Sequence, residues 1–224
     1  MSKISETNKT NNKTKALGKI YNFFESFMFL ATLNLLWLLF TLLGAIIFGW
    51  APATAVTYKL LTNYLQGEVI KKPLIKTFFA EYKTYFLRAN YLGYSSVVVG
   101  IFVVFGILTL TSLPTVAFYL VTIFYGAFAS LFLVASIYSL PVLVRYKTGY
   151  FATIKTALFI SVAHLHHAFG IIFALVFAMF FFMSFPSISI FFLFSLPVLI
   201  VAWISEKSFK RIDEIIENES PIST

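Results

Sequence analysis

The stretch YLGYSSVVVGIFVVFGILTLT, residues 91–111, contains no charged side chain and is as long as a helix that crosses the hydrocarbon core of a bilayer, roughly 20 residues. Three further stretches, 115–144, 168–185 and 187–205, are also free of charge and reach or approach that length. In lipid, a helix satisfies all of its backbone hydrogen bonds within one segment. The sequence therefore predicts an all-α fold, a polytopic transmembrane helical bundle.

The overall composition favours the same class. Apolar residues make up 59% of the 224 positions, charged residues only 12%, and Phe alone occurs 28 times. A soluble domain of this size has no interior large enough to bury so much apolar surface, so the solvent for most of the chain is lipid. The net charge is +8, but the basic residues lie at the margins of the apolar runs, as membrane-flanking residues do. We therefore expect the lipid bilayer, and no nucleic acid, as a partner.

One apolar region, 26–65, is too long for a single crossing. It is interrupted only by Lys59 and contains Gly44, Gly49 and Pro52. It is therefore either one span followed by an interfacial helix or a tight helical hairpin.

The distribution of basic residues favours the hairpin. Five lysines precede it, and the connections 66–90 and 145–155 are basic, whereas the turns 112–114 and 184–186 carry no charge. By the positive-inside rule the basic segments face the cytoplasm, and the N-terminal lysines share a side with 66–90 only if the chain crosses twice between them. We therefore predict six spans in the plasma membrane, with five as the alternative, and both termini in the cytoplasm.

The hairpin itself is expected to have one long and one short helix. Helix 1 is predicted at about 24–43, the outer turn at Gly44–Trp50, and helix 2 at about 51–65. Pro52 suits the first turn of helix 2, where its missing N–H has no helical partner in any case. Helix 2 is short for a span and is either a crossing or partly re-entrant.

Segments outside the spans complete the predicted organisation. Residues 1–22 are polar and are expected to form a disordered cytoplasmic tail, residues 23–206 a single transmembrane domain, and residues 207–224 a short polar cytoplasmic tail. Apolar residues recur at helical spacing in 73–90 and 151–167, which predicts two amphipathic helices on the inner leaflet, each bending into a span. Both segments contain Ile-Lys-Thr, which suggests a duplicated unit.

Side chains that carry chemistry are scarce. No Asp or Glu occurs between Glu81 and Glu206, and the chain has no cysteine. This counts against cation-coupled transporters and cation channels, which place acidic groups along their pathways. His164, His166 and His167 form a cluster, but no carboxylate or cysteine lies nearby in the sequence, so interfacial histidines are favoured over a metal site. We expect no enzymatic activity, no cofactor and no bound metal.

A few polar side chains inside the hairpin are candidates for helix contact or ligand binding. Asn34 lies within helix 1 and needs a hydrogen-bond partner in lipid, which we expect on another helix, such as helix 2, with a substrate as the alternative. Thr54, Thr57 and Tyr58 add hydroxyls to helix 2, and we expect them to bond against helix 1. Lys59 is expected to extend its side chain to the inner interface.

The residues of this region also carry a resemblance. The pattern consists of Leu33, Asn34 and Trp37, then Gly49, Pro52, Ala53, Thr54 and Ala55, then Tyr58, and then Phe78 and Phe79 before Tyr82 and Lys83. Over about residues 20–95 the chain resembles the YesL family, bacterial membrane proteins with a domain of unknown function. It departs from the family pattern at 44–48, where Leu-Pro followed by Thr-Ile-Gly is expected. The resemblance implies no catalytic residues. It does imply a functional association with carbohydrate ABC uptake systems, because family members are commonly encoded beside them.

Two functions remain compatible with these observations. The first is a non-enzymatic accessory or regulatory partner of a carbohydrate uptake system, such as an ABC-type sugar transporter. The second is a transporter or permease component for an uncharged solute, which the several spans and the suggested duplicated unit favour. We rank the accessory role first, because neither 73–90 nor 151–167 shows the Glu-Ala-Ala pattern of a helix that docks an ATPase.

Overall fold

The structure, a computed structural model, describes residues 2–68, 72–110, 114–163 and 165–219. These residues form eight α-helices and no strand. The helices are α1 Ser2–Leu43, α2 Trp50–Leu65, α3 Leu74–Leu110, α4 Thr115–Tyr146, α5 Tyr150–Ala163, α6 Leu165–Ser184, α7 Pro186–Phe192 and α8 Ser195–Glu219. The predicted all-α class is confirmed.

Three helices contain segments that are long and apolar enough to cross a membrane. These segments are Leu17–Leu43, Leu74–Thr109 and Ala117–Tyr146. Two shorter apolar helical segments, Tyr150–Ala163 and Gly170–Ser184, accompany them. The chain is therefore a helical membrane bundle, and the number of crossings stays a prediction.

The short helix α2 lies at the centre of the bundle, packed against α1, α3, α4 and α8. Its bounds agree with the predicted helix 2 to within a residue. Ala51, Ala53 and Ala55 are fully buried, because small side chains let neighbouring helices approach closely. Gly93 of α3 extends this close packing, since a Cβ there would lie 2.8 Å from the Cβ of Ala51. Helix α2 therefore holds the other helices together, whatever its depth in the membrane.

Helix α3 differs from the prediction in being continuous. The sequence predicts a surface helix at 73–90 that bends into a separate span, but one helix runs from Leu74 to Leu110. The first glycine in it is Gly93, and it contains no proline, so nothing in the segment interrupts the backbone ladder. Phe78 and Tyr85 on its inward face are buried, in the same apolar core as α2. That face therefore contacts protein rather than lipid.

The segment expected to be the last span is also different. Instead of one helix over 187–205, the chain forms α7 and α8 with a break at 193–194. Helix α8 then continues to Glu219, so most of the predicted polar tail, 207–224, is helical. The reason is packing: Ser208 and Phe209 are fully buried, and they extend the apolar face of α8 beyond the predicted end of the bundle.

The N-terminal segment is also helical where the sequence predicts no helix. Residues 1–22 are predicted to be disordered, whereas α1 begins at Ser2. The segment contains no proline and its first glycine is Gly18, so no helix-breaking residue separates it from the apolar stretch in which the helix can nucleate.

The turn between α1 and α2 lies where the sequence predicts it, at 44–49. It contains two adjacent residues with positive φ, Ala45 at 53° and Ile46 at 64°. Its carbonyl groups accept hydrogen bonds from α3, at 3.0 Å from the Asn90 amide and at 2.7 Å from the Tyr94 hydroxyl. Since Tyr94 lies in the middle of α3, that helix extends about 24 Å past the turn, at about 1.5 Å per residue.

Candidate functional site

Asn34 is fully buried and caps a neighbouring helix. Its Oδ1 accepts hydrogen bonds from the backbone N–H groups of Phe194, at 2.9 Å, and Ser195, at 3.2 Å. These donors lie at the start of α8, where a helix has no acceptor of its own. The amide oxygen therefore bonds to another helix, and that helix is α8.

Trp37, one turn further along α1, contacts both α2 and the start of α8. Its Nε1 donates to Oγ1 of Thr54 at 3.0 Å, and the Thr54 hydroxyl donates in turn to the Trp50 carbonyl at 2.7 Å. The indole stacks on the ring of Phe194, with centroids 3.5 Å apart and planes 16° apart. Thr54 therefore bridges α1 and α2, as expected. Thr57 bonds within its own helix, to the carbonyl of Ala53 at 2.9 Å.

Gly49 and Pro52 shape the start of α2. A Cβ on Gly49 would overlap the carbonyl oxygen of Thr41 and lie 2.6 Å from its Cα, so only glycine lets the end of α1 pass so close. Pro52 is buried in the first turn of α2, where its missing N–H costs no helical hydrogen bond.

Tyr58, the last of the motif residues, has a buried hydroxyl on the side of α2 that faces α8. Only 2% of the residue is exposed, and its hydroxyl lies near those of Thr62 and Ser205 and near the carboxylate of Glu206. The hydroxyl therefore lies near α8, whereas the sequence predicts a contact with helix 1.

A partly buried ionic cluster, which the sequence analysis did not predict, lies beside Tyr58. Arg145 at the end of α4 binds Glu206 at 2.8 Å and Asp213 at 2.6 Å, both on α8. Glu206 also accepts a hydrogen bond from Gln66 at 3.0 Å, just after α2. The ring of Phe209 lies against the guanidinium, 5.1 Å from its carbon. We name Arg145, Glu206, Asp213 and Gln66 the α4–α8 ionic cluster.

A signal for this cluster was present in the sequence. Glu206, Phe209 and Asp213 follow one another at i, i+3 and i+7, which places them on one face of a helix. Because the sequence predicts a polar tail after residue 206, this face is not expected to pack against the bundle.

Lys59 also has a partner that the sequence reasoning did not assign. Its Nζ lies 2.6 Å from Oε2 of Glu81 on α3, and both side chains are about three-quarters buried, at 20% and 25% exposure. An ion pair between α2 and α3 therefore replaces the expected extension of Lys59 to the interface.

Two cavities lie along α3 and α4. One, of about 280 Å³, lies between α3, α4 and α5, and the other, of about 700 Å³, lies between α3, α4 and Trp50. Both are lined by Ser96, Phe132, Ser136 and Ser139, so they adjoin, and the lining of neither includes a charged residue. Such cavities suit an uncharged or apolar ligand.

Metal-binding groups are not assembled in the described part of the chain. Within it, no group of three or more His, Cys, Asp or Glu side chains could hold an ion. The cluster His164, His166 and His167 lies outside the residues whose side chains are described.

Comparison with known proteins places this arrangement in a family. Residues 30–107 match the family described as "Protein of unknown function, DUF624". Over 182 residues the chain is 35% identical to the uncharacterized protein YteU of Bacillus subtilis (strain 168), and the match covers 81% of each chain. The chain belongs to the YesL-like DUF624 family.

Two further DUF624-like relatives match over shorter regions. The uncharacterized protein YesV of the same organism is 41% identical over 81 residues, 36% of this chain and 38% of YesV. The uncharacterized protein YesL is 35% identical over 75 residues, 34% of this chain and 35% of YesL. No solved structure matches the chain. The family region, 30–107, contains all six motif residues, Asn34, Trp37, Gly49, Pro52, Thr54 and Tyr58.

Proposed function

We propose that this DUF624 protein is a non-enzymatic accessory or regulatory subunit that acts by contact with another membrane protein, an ABC-type carbohydrate uptake system. The observation that carries the proposal is how its buried charges are used. Arg145 and Lys59 each pair with a carboxylate on another helix, and the two cavities along α3 and α4 have uncharged linings. These two cations therefore join helices, and neither lines a cavity between α3 and α4.

The choice of partner comes from the sequence resemblance. YesL-family members are commonly encoded beside carbohydrate ABC uptake systems, and a subunit of such a system would meet it inside the bilayer. Helices α3 and α4 supply a surface for this contact. Ile101, Phe105 and Phe124 are among the apolar side chains on it that are more than half exposed. A helix of a partner could pack there through van der Waals contacts.

The second candidate function, transport of an uncharged solute, is favoured by the serine-bearing cavities. The lining is uncharged and includes Ser96 in both cavities, which suits an uncharged solute. The two functions differ in whether the protein moves a solute without help.

Reconstitution separates the two functions. The purified chain is inserted alone into liposomes, and entry of labelled sugars is compared with entry into empty liposomes. We expect no difference. The co-encoded ABC transporter is then reconstituted with and without the chain, and we expect the chain to change its ATP-dependent uptake rate. Uptake by the chain alone would contradict the accessory role and favour the transporter.

A further inference from the structure

Three basic side chains lie exposed beside the smaller cavity. Arg88 on α3 is exposed and its Nη1 lies 3.4 Å from the carbonyl oxygen of Lys147, so the two residues are neighbours. Lys147 and Lys155 are also exposed. The ion pairs between described residues involve Lys59 and Arg145, and none of these three cations takes part in one. The surface therefore carries uncompensated positive charge.

The cavity begins within four residues of two of these cations, Arg88 and Lys147. Leu92, which lines it, follows Arg88 by four residues on α3, so the two share a face. Tyr150, another lining residue, follows Lys147 by three. The positive surface and the cavity are therefore adjacent parts of one feature, and we call it the basic-mouthed cavity, defined by Arg88, Lys147 and the lining residues.

The interior of this cavity is apolar in spite of its serines. Ser95 donates to the Leu92 carbonyl at 2.9 Å and Ser139 to the Ser136 carbonyl at 2.8 Å, so both hydroxyl protons are used within their own helices. The Ser136 hydroxyl is buried and makes no hydrogen bond with the described residues, so it adds no accessible polar group to the cavity surface.

The shape and charge together match one kind of molecule. An anionic glycerophospholipid has a phosphate for the cations and an acyl chain for the apolar lining. The adjoining cavity of about 700 Å³ gives the chain room to continue between α3 and α4. Sites for small ligands typically measure roughly 300–1,000 Å³, so the two cavities together have a suitable size.

We propose that the basic-mouthed cavity binds one anionic phospholipid, with its phosphate at Arg88 and Lys147 and one acyl chain between α3, α4 and α5. Lys155, on the exposed side of α5, adds to the positive field at the headgroup. This inference does not depend on the accessory role, since a lipid bound at this position would serve any function of the bundle.

The test measures lipid binding by the full chain in an uncharged detergent. Thermal unfolding midpoints are recorded while phosphatidylglycerol, phosphatidylcholine or glycerol phosphate is titrated, and native mass spectrometry counts the retained lipids. We expect one phosphatidylglycerol molecule to be retained and to raise the midpoint at lower concentrations than phosphatidylcholine. Glycerol phosphate has the headgroup charge without a chain, and we expect no effect from it at the same concentrations.

Two variants and a matched control locate the site. Arg88→Gln with Lys147→Gln should raise the half-saturating concentration of phosphatidylglycerol about 30-fold, the effect of two basic residues near an anionic headgroup. Lys76→Gln with Lys83→Gln removes the same charge from exposed positions earlier on α3 and should leave binding unchanged. Ser96→Phe fills both cavities and should weaken lipid binding without altering the cations.

Several results would overturn the proposal. Equal effects of phosphatidylglycerol and phosphatidylcholine would show that the cations do not select the headgroup. An effect of glycerol phosphate equal to that of phosphatidylglycerol would show that the acyl chain does not contribute to binding. The same loss in the control variant as in the Arg88 and Lys147 variant would mean a diffuse charge effect. Unchanged binding in Ser96→Phe would place the acyl chain elsewhere.

Discussion

At the scale of single residues, Asn34 acts on α8 as a capping side chain acts on its own helix. The backbone N–H groups of Phe194 and Ser195 reach its Oδ1 at 2.9 and 3.2 Å, inside an apolar bundle where water does not replace the acceptor. The break between α7 and α8 and the amide of α1 therefore belong to one arrangement: the break exposes the donors, and Asn34 accepts from them.

Replacing Asn34 tests this arrangement. Asn34→Leu removes the acceptor while keeping a similar volume, so we expect the free energy of unfolding in detergent to fall by about 0.5–2 kcal/mol, with membrane insertion unchanged. Ser195→Ala is the control, because it keeps the backbone donor that Asn34 binds. A loss in Ser195→Ala as large as that in Asn34→Leu would assign the stabilisation to the serine hydroxyl instead.

Gly49 gives a second test at this scale. Gly49→Ala would force a Cβ into the backbone of Thr41, and we expect it to destabilise the protein by roughly 1–3 kcal/mol, as overpacking does. Gly100→Ala is the matched control, since a Cβ there meets no atom within 4 Å and alanine is the better helix former. Equal thermal unfolding midpoints for the two variants in detergent would show that the α1–α2 turn relaxes to admit the methyl group.

Sequence reasoning at this scale identified the residues better than their partners. That Asn34 needs a hydrogen bond follows from burying an amide in lipid, so the requirement was predictable. Its partners lie 160 residues later in the chain, at a helix break that hydropathy does not mark. The local sequence around Asn34 does not indicate which distant segment of the chain packs against it.

At the scale of helices, the α4–α8 ionic cluster fixes the end of α4 against α8. Glu206 is nearly buried, with 9% of its side chain exposed, and it depends on Arg145 and Gln66 for its hydrogen bonds. A carboxylate in such a place is stable only while its partners remain, because removing one leaves an uncompensated buried charge.

Substitutions in this cluster should therefore have unequal effects. Arg145→Met leaves Glu206 unpaired and should lower the free energy of unfolding by about 2–4 kcal/mol, below the usual range for a buried pair because Arg145 is partly exposed. Glu206→Gln retains an acceptor for Arg145 and should cost less. The double variant Arg145→Met with Glu206→Leu should recover part of the loss.

Denaturant titration in detergent measures all three variants, and Lys155→Met is their control. Lys155 is exposed and takes part in no ion pair within the described chain, so its variant should stay within about 0.5 kcal/mol of the native protein. If the double variant were no more stable than Arg145→Met, the loss would come from missing contacts of the Arg145 side chain rather than from a stranded charge.

Helix ends were less predictable than helix existence, for a reason visible in α3 and α8. Apolar runs locate the parts of a helix that lie in lipid, but they do not report where the helix stops once it enters water or contacts protein. Helix α3 begins 17 residues before the uncharged stretch that starts at Tyr91, and α8 continues past Glu206 because Ser208 and Phe209 pack against α4 and α6. In both cases tertiary packing extended a helix that hydropathy had divided or shortened.

At the scale of the whole molecule, the α1–α2 hairpin ends at a different depth from the far ends of α3 and α4. The α1–α2 turn meets α3 at Asn90 and Tyr94, while α3 and α4 continue about 24 Å beyond it. A hydrocarbon core is roughly 30 Å thick, so the turn and the far ends of α3 and α4 belong to different depths. The large apolar residues on the turn, such as Ile47 and Phe48, are more than half exposed, as suits a turn that faces lipid.

This difference changes the predicted topology. Six crossings with both termini in the cytoplasm require residues 112 and 184 to lie outside, residues 5, 66, 148 and 220 to lie inside, and the α1–α2 turn to lie outside as well. Because α3 continues so far past the turn, we now expect the turn to lie within the hydrocarbon, reachable from neither side. The α1–α2 hairpin would then be re-entrant, and four crossings would remain with the same residues inside and outside.

Cysteine labelling decides between these arrangements, because the chain has no cysteine of its own. Single cysteines replace Ser5, Ile47, Gln66, Ser112, Thr148, Ser184 and Ser220. Each variant is treated with an impermeant maleimide on intact cells and again after permeabilisation. We expect labelling of positions 112 and 184 on intact cells, of 5, 66, 148 and 220 only after permeabilisation, and of 47 in neither case. Labelling of 47 on intact cells would make the first hairpin a full double crossing. Labelling of position 5 on intact cells with protection of 66 would leave five crossings, and α2 would then be a buried helix on the inner side that never crosses the membrane.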